Sequence, residues 1–586
     1  MNPTPSRLAR LLAGLVARLA PRRARRTAGV VASALAVVVG VSACGGIPVT
    51  GPIVAGPAVG SVTEPVFEFT PRGPVPGADP RQILSGYMQA LRAPISDYRI
   101  ARQFLSRGLA ETWSPETGVV IRLGGAEIVD VPPTTGEVAL SYTFTSRATV
   151  DGLGRYREDS EPTSRTLTFE FTQENGEWRI SAAPDGIVLS TAAFLETFSE
   201  VPLYFFDPTG RYLVPDIRWL AKRNSTPNAE LRALMAGPDE WLRQSVVSQF
   251  PAGLTLGPGG VVIEGSRATV DFGGDANLLT PQRLGLMQEQ IIATLGVAEA
   301  QLTAEGLPLV VERPEVSALI DPQPDGAVLI GTADGFGFGT SSDIVTIPGI
   351  SEVVVELGAT AVTVARDRAS AAFRGADGSV YHLFSGQEPA LIDDRPSLVA
   401  PSLDQFGYTW SAAGEVGGAI EAFSSDGSPT GLVVDGLPSE SEIVSIAVSR
   451  DSTRLAVAAR TAVGSQLFVF GIVRSAGVPV KVGQPLELPS SPGDITGAQW
   501  VDARSIVVTH ELVAGPDSAT ITTVHHLPIG APSADLNPLP GAAVVVGGRA
   551  GVTGIRAIAD GMVFQRGGGG GWAETGMLAE FLGVQQ

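Results

Sequence analysis

Cysteine is nearly absent from this chain: Cys44 is the one example in 586 residues. That excludes a disulfide framework and leaves stability to buried apolar surface. Histidine is almost as scarce, with four residues and none before His382, so the first two-thirds of the chain has no imidazole to serve as base or ligand. Lysine occurs twice, at Lys222 and Lys481, and every other cation is arginine. Long apolar runs are also lacking. The uncharged stretch 28–41 is about 14 residues, short of the ~20 that span a bilayer.

What stands around Cys44 makes that short run informative. Arg22, Arg23, Arg25 and Arg26 precede the run, and Val41-Ser42-Ala43-Cys44 ends it, with small residues before the thiol. This order reads as a lipoprotein signal: residues 1–43 are removed, and Cys44 is the expected carrier of an S-diacylglycerol and an N-palmitoyl group. A chain held in this way lies on a membrane without spanning it. Removing the seven arginines of residues 1–43 leaves 34 basic residues against 60 acidic, a net charge of −26. Such a surface repels nucleic acid. Few lysines beside abundant Ala, Gly and Val suggest a GC-rich genome, as in actinobacteria.

Organisation follows from punctuation. Residues 44–78 are rich in Gly and Pro and show no sustained period, as a tether would. In 79–198, Asp79-Pro80 opens a helix with Ile83, Leu84, Tyr87, Met88 and Leu91 on one face, and a second helix carries Ile100, Ala101, Phe104 and Leu105. The period then becomes two, through 119–123, 138–144 and 167–171, and Asn175-Gly176 marks a hairpin. Helices followed by a curved sheet resemble the NTF2-like cone, with Tyr87, Phe169 and Trp178 as core. In 199–315, strands around 201–206 and 213–215 precede a helix at Thr226-Pro227 that stops at Gly237-Pro238. A second helix at Thr280-Pro281 presents Leu284, Met287, Ile291 and Leu295. This predicts helices on a small sheet. In 316–586, alternating strands end in Asp367, Asp404, Asp451, Asp502 and Asp560, 37 to 58 residues apart. That spacing is the length of a propeller blade and predicts five or six, each aspartate fixing a turn.

No catalytic or metal constellation stands out. Asp271 closes a strand and reads as a structural aspartate. Gly335-Phe336-Gly337-Phe338-Gly339 lacks the strand-to-helix context of a nucleotide loop, and Gly567 to Gly571 form a loop before Trp572. His525 and His526 face opposite sides of a strand, and His382 and His510 sit in strand-like surroundings. No cofactor is implied.

Tyr204-Phe205-Phe206, Gly237-Pro238, Pro251-Ala252-Gly253, Val270-Asp271 and 290–295 resemble the GerMN domain of spore-germination and envelope proteins. The full order of lipobox, tether, NTF2-like domain, GerMN-like domain and all-β propeller resembles the LpqB family of actinobacterial lipoproteins. That resemblance implies a multidomain accessory of the MtrA/MtrB two-component system. It would be lipid-anchored on the extracytoplasmic face of the cell membrane, contact an MtrB-like sensor histidine kinase there, and influence cell-wall homeostasis and division without being an enzyme. The alternative is an envelope protein that binds or hydrolyses cell-wall glycan. A small-ligand sensor, with its ligand in the cone or the propeller channel, is a third reading. Each domain is expected to own its core, so the chain without 316–586 should remain folded.

Overall fold

The computed structural model describes residues 71–586 apart from 133–137, 224, 341–342, 490 and 514–519. Cys44, the signal segment and most of the tether lie outside the described residues. Helix α1 (Pro80–Ala90) begins as its sequence demands: the Asp79 side chain accepts from the Gln82 amide at 2.9 Å, and the Gln82 side chain accepts from the Asp79 amide. Ile83, Leu84 and Tyr87 are buried beneath it. The second helix is shorter than expected, α2 spanning Arg99–Arg102 before α3 at Arg107–Thr112. Five strands follow: β1 (Gly118–Val131), β2 (Val138–Asp151), β3 (Tyr156–Glu174), β4 (Glu177–Ala182) and β5 (Ile187–Ser190). They form one sheet in the order β4-β3-β2-β1-β5, with β5 parallel to β1. Asn175 (φ 54°) and Gly176 (φ 80°) make the tight β3–β4 turn, since both positions need the left-handed conformation. Tyr87 and Phe169 meet edge to face at 6.1 Å in the core, while Trp178 is partly buried beside them.

Helix α4 (Thr191–Thr197) leads into β6 (Phe198–Phe206), which pairs antiparallel with β7 (Tyr212–Ala221). Helix α5 occupies Thr226–Ala236, with Thr226 as its first residue and Pro227 as its second. The Thr226 hydroxyl accepts from the Arg223 amide at 2.8 Å. Strands β8 (Thr255–Glu264) and β9 (Arg267–Gly273) precede α6 (Pro281–Leu295), which is capped by Thr280 and stopped by Gly296 at φ 62°. Strands β10 (Glu299–Ala304) and β11 (Leu307–Pro308) complete a sheet ordered β11-β10-β9-β8. The expected single small sheet is therefore two sheets, the other being β12-β7-β6, where β12 (Leu319–Ile320) runs parallel to β7. Residues 319–320 lie beyond the boundary read at 316, yet they pair with the second domain.

Among the described residues the remaining strands form six blades. Their inner strands, Phe581–Gln585, Ala361–Val364, Ser402–Leu403, Glu442–Val448, Asp494–Asp502 and Ala542–Gly548, follow one another in a closed ring. Closure comes from the C-terminal strand, which pairs antiparallel with Leu329–Thr332 and parallel with Ala361–Val364. Gly331 leaves room for the Phe581 ring there, since a Cβ would lie 2.1 Å from it. Four of the repeated aspartates make the expected turn, each accepting from an amide two residues on: Asp367 from Ala369 (3.0 Å), Asp404 from Phe406 (2.9 Å), Asp451 from Thr453 (3.0 Å) and Asp502 from Arg504 (2.8 Å). Asp560 departs from the series. It follows the second strand of its blade, Gly551–Ala559, not the inner one, and turns at φ 50°.

The expectation of separate cores fails. Trp241, Leu242, Val246 and Leu203 of the second domain belong to one apolar cluster with Leu467, Val469, Leu486 and Leu488 of the propeller. Gly471 permits this approach, since a Cβ there would sit 2.2 Å from the Ser245 hydroxyl. The first domain's cluster likewise takes in Ile217 and Trp219 of β7 and Ala531 of the propeller. Trp219 touches all three parts: its ring lies 4.7 Å from Phe194 and 6.2 Å from Tyr156, and its indole N–H donates to the Gly530 carbonyl at 3.0 Å.

Candidate functional site

Strand β7 is buried along both faces from Tyr212 to Trp219 because different domains cover each side. Its charged residues must therefore pair. Arg218 makes two hydrogen bonds to Asp216, one from Nη2 to Oδ2 at 2.8 Å, and Asp216 also accepts from the Asp239 amide at 2.7 Å. The Asp239 carboxylate in turn holds Arg157 of the first domain at 2.6 Å and Arg155 at 3.2 Å. Burial pushes the Asp239 carboxyl up, but the hydrogen bond and charge of Arg157 outweigh it and hold the group below its ordinary value.

Beside this network a cleft of about 550 Å³ opens between the first two domains. One wall is the face of α5 carrying Ala229, Arg232, Ala233 and Ala236, and the other is the β2–β3 turn with Val150, Asp151 and Leu153. Phe198, Trp219 and Leu220 also line it, as do Tyr98, Glu116, Arg223 and Arg243. Arg223 bonds Glu116 at 2.9 Å and lies over the Tyr98 ring, whose phenol burial pushes up to about 12. The sequence reading missed this site. Its available signal was the Ala229, Arg232, Ala233, Ala236 stripe, a small-and-cationic face opposite Leu231 and Leu234. A smaller cavity of about 250 Å³ lies in the cone, bordered by Tyr87, Met88 and Phe169.

The histidines lie in the propeller. His525 Nδ1 is 2.7 Å from Asp535 and 3.1 Å from the Ser491 hydroxyl. A nucleophilic triad needs serine and carboxylate on opposite ring nitrogens, and here both meet Nδ1, while Nε2 faces Thr523 at 2.9 Å. His510 is fully buried, and burial, with His525 beside it, lowers it to about 4. Burial also lowers His382, whose Nδ1 meets the Thr409 hydroxyl at 2.9 Å, and His526. No group of three or more His, Cys, Asp or Glu side chains forms a metal site among the described residues. Asp271 is structural: its carboxylate accepts from the Gly306 amide and the Thr303 hydroxyl, each at 2.8 Å, and from the Gly259 amide at 3.2 Å. The hydrogen bond from Gly306 chiefly lowers its pKa. The β8 bulge wraps it closely, since a Cβ on Gly257 would meet Asp271 Oδ2 at 2.4 Å. Gly335–Gly339 is a propeller strand, and Gly337 is excluded from bearing a side chain by the Val345 carbonyl.

A cone, a two-sheet domain and a six-bladed propeller joined through shared cores define a three-domain class. The family models agree with that order: the N-terminal domain of Lipoprotein LpqB matches residues 73–195, the sporulation and spore germination (Germane) domain 202–310, and the Lipoprotein LpqB beta-propeller domain 339–580. The chain belongs to the LpqB lipoprotein family. Lipoprotein LpqB of Bifidobacterium longum is 25% identical over 493 residues, covering 78% of this chain and 80% of the relative. That of Mycobacterium bovis is 26% identical, covering 81% and 85%. The match to the Cutibacterium acnes protein, 28% identical, spans about half of each chain, 47% of both. Among solved structures, the tricorn protease covers 76% of this chain at 10% identity and a TM-score of 0.28. A putative TolB from Agrobacterium tumefaciens covers 36% at 12% identity and a TM-score of 0.27. No helix among the described residues is long and apolar enough to cross a membrane.

Proposed function

We propose that the protein is a lipid-anchored accessory of a sensor histidine kinase of the MtrB kind, acting on the extracytoplasmic face of the cell membrane. Acylation at Cys44 would hold it there, and its folded body would dock on the kinase's extracytoplasmic domain to tune signalling tied to cell-wall homeostasis and division. The observation that carries this reading is the fusion of three domains through shared cores. A body of this kind offers a broad, fixed docking face, and a membrane anchor raises its effective concentration beside a membrane receptor. Membership of the LpqB lipoprotein family supports the anchor.

A glycan hydrolase would need two carboxylates about 5–10 Å apart, one of them protonated. The carboxylates lining the large cleft are Glu116, held by Arg223 at 2.9 Å, and Asp151, with Arg155 at 3.9 Å. Each of these carboxylates is engaged by an arginine, so the accessory reading is preferred.

Replacement of the wild-type gene by one encoding Cys44→Ala tests the proposal in cells. The phosphorylated fraction of the cognate response regulator should move to the level of a strain lacking the protein. A wild-type fraction, with the variant shed from the membrane, would overturn it.

A further inference from the structure

The cleft between the cone and the second domain combines features that the accessory role does not require. Its interior is apolar, with Phe198, Trp219, Leu220, Val119 and Val150 around it. Its volume of about 550 Å³ is that of a small-molecule site. Five arginines line it against two carboxylates, in a chain with 60 acidic and 41 basic residues.

The arginines divide into two sets. Arg155, Arg218 and Arg223 are neutralised by Asp239, Asp216 and Glu116. Arg232 and Arg243 are exposed, and neither side chain has an ion-pair or hydrogen-bond partner among the described residues. Arg223 adds a buried Nε–H with no acceptor. Two free guanidinium groups and an orphan donor thus stand around an apolar interior, in a molecule whose overall field repels anions. An anion drawn to this point satisfies the donors, and an apolar body attached to it fills the interior.

We propose that this cleft binds an amphipathic anion, a phosphate or carboxylate head on an apolar body, with the head at Arg232 and Arg243 and the body against Phe198, Trp219 and Leu220. The site stands independently of the kinase reading. It also differs from the cone and the propeller channel, where the sequence alone would seek a ligand. The same chemistry is offered by a membrane phospholipid and by a soluble anion.

The test uses the chain from Gly45 onward, which retains every described residue. Decyl phosphate, below its micellar concentration, is titrated by calorimetry beside inorganic phosphate and neutral octyl glucoside. One decyl phosphate should bind per chain, with inorganic phosphate and octyl glucoside each far weaker. Arg232→Ala and Arg243→Ala, on exposed side chains, should each weaken binding roughly tenfold and together roughly a hundredfold. Ala233→Trp, which fills the cleft, should abolish it. Equal binding of octyl glucoside, unchanged binding by the double arginine variant, or no binding of decyl phosphate would overturn the proposal. Flotation with phosphatidylglycerol but not phosphatidylcholine vesicles, lost in the double variant, identifies the lipid as the source. Decyl phosphate binding without flotation identifies a soluble anion.

Discussion

Replacing Trp219 should uncouple the domains. Its ring is 6% exposed, packs on Phe194 and Tyr156 of the cone, and donates to the Gly530 carbonyl of the propeller, while its own amide donates to Gly154 at 2.7 Å. Trp219→Ala keeps the backbone bond but leaves a cavity where three domains meet. A buried tryptophan truncated to alanine costs about 3–5 kcal/mol. The orphaned Gly530 carbonyl adds about 1 kcal/mol. Trp219→Phe keeps most of the packing and should cost about 1–2 kcal/mol, chiefly the lost indole bond and the smaller ring. Because domain stabilities are of order 5–15 kcal/mol, the alanine loss is large enough to show in calorimetry. The chain from Gly45 onward should unfold in one transition when wild type and in separated transitions as Trp219→Ala, with Trp219→Phe between. A single unshifted transition in Trp219→Ala, or equal losses in the two variants, would refute the claim that this side chain couples the domains.

Further outcomes are expected of stability. His510 is held near 4 in the folded chain against 6.5 when free, so its contribution is complete above pH 6.5 and lost as pH falls, by about 3 kcal/mol at pH 4. Glu230, raised by burial to about 7, works in the opposite sense: its contribution is complete below pH 4.5 and lost as pH rises toward 7. The two slopes oppose between pH 4.5 and 6.5, so urea midpoints of Glu230→Gln should fall on acidification while those of His510→Phe fall as pH rises; parallel profiles for both variants and wild type would contradict this. The Asp404 and Arg474 side chains are 0% and 2% exposed, so Asp404→Ala strands a buried cation. It should cost about 3–5 kcal/mol in urea unfolding, and Asp404→Leu with Arg474→Met should recover much of the loss. Deleting 316–586 bares Trp241, Leu242 and Val246, so the remainder should self-associate and bind apolar dyes; a monomeric, cooperatively folding remainder would show the cores to be separate after all.

Local structure was legible wherever a short stretch of chain determines it. Asp79-Pro80, Asn175-Gly176 and Thr280-Pro281 announced their caps and turn because the bonding groups lie within a few residues of one another. The turn aspartates at 367, 404, 451 and 502 were legible for the same reason. Asp560 was misplaced because Gly551–Ala559 alternates just as an inner strand does, while the true inner strand, Ala542–Gly548, ends without an aspartate. The sixth blade was ambiguous because its strands come from the two ends of the domain, Leu329–Thr332 and Phe581–Gln585. The cleft and the shared cores were hidden for a different reason. Alternation along β7 assigns Asp216 and Arg218 to solvent, but the Asp239 segment of the second domain closes over that face while the cone and the propeller take Ile217 and Trp219 on the other. The arginines that gather in the cleft belong to separate elements, and only tertiary packing brings Arg232 and Arg243 to the same opening.

The accessory role is tested most directly by titrating the chain from Gly45 onward against the purified extracytoplasmic domain of the cognate MtrB-like kinase at several salt concentrations. Binding at about micromolar affinity or tighter, one chain per kinase protomer, is the predicted result. No binding at any salt concentration, with isolated cell-wall glycan retaining the chain instead, would contradict it.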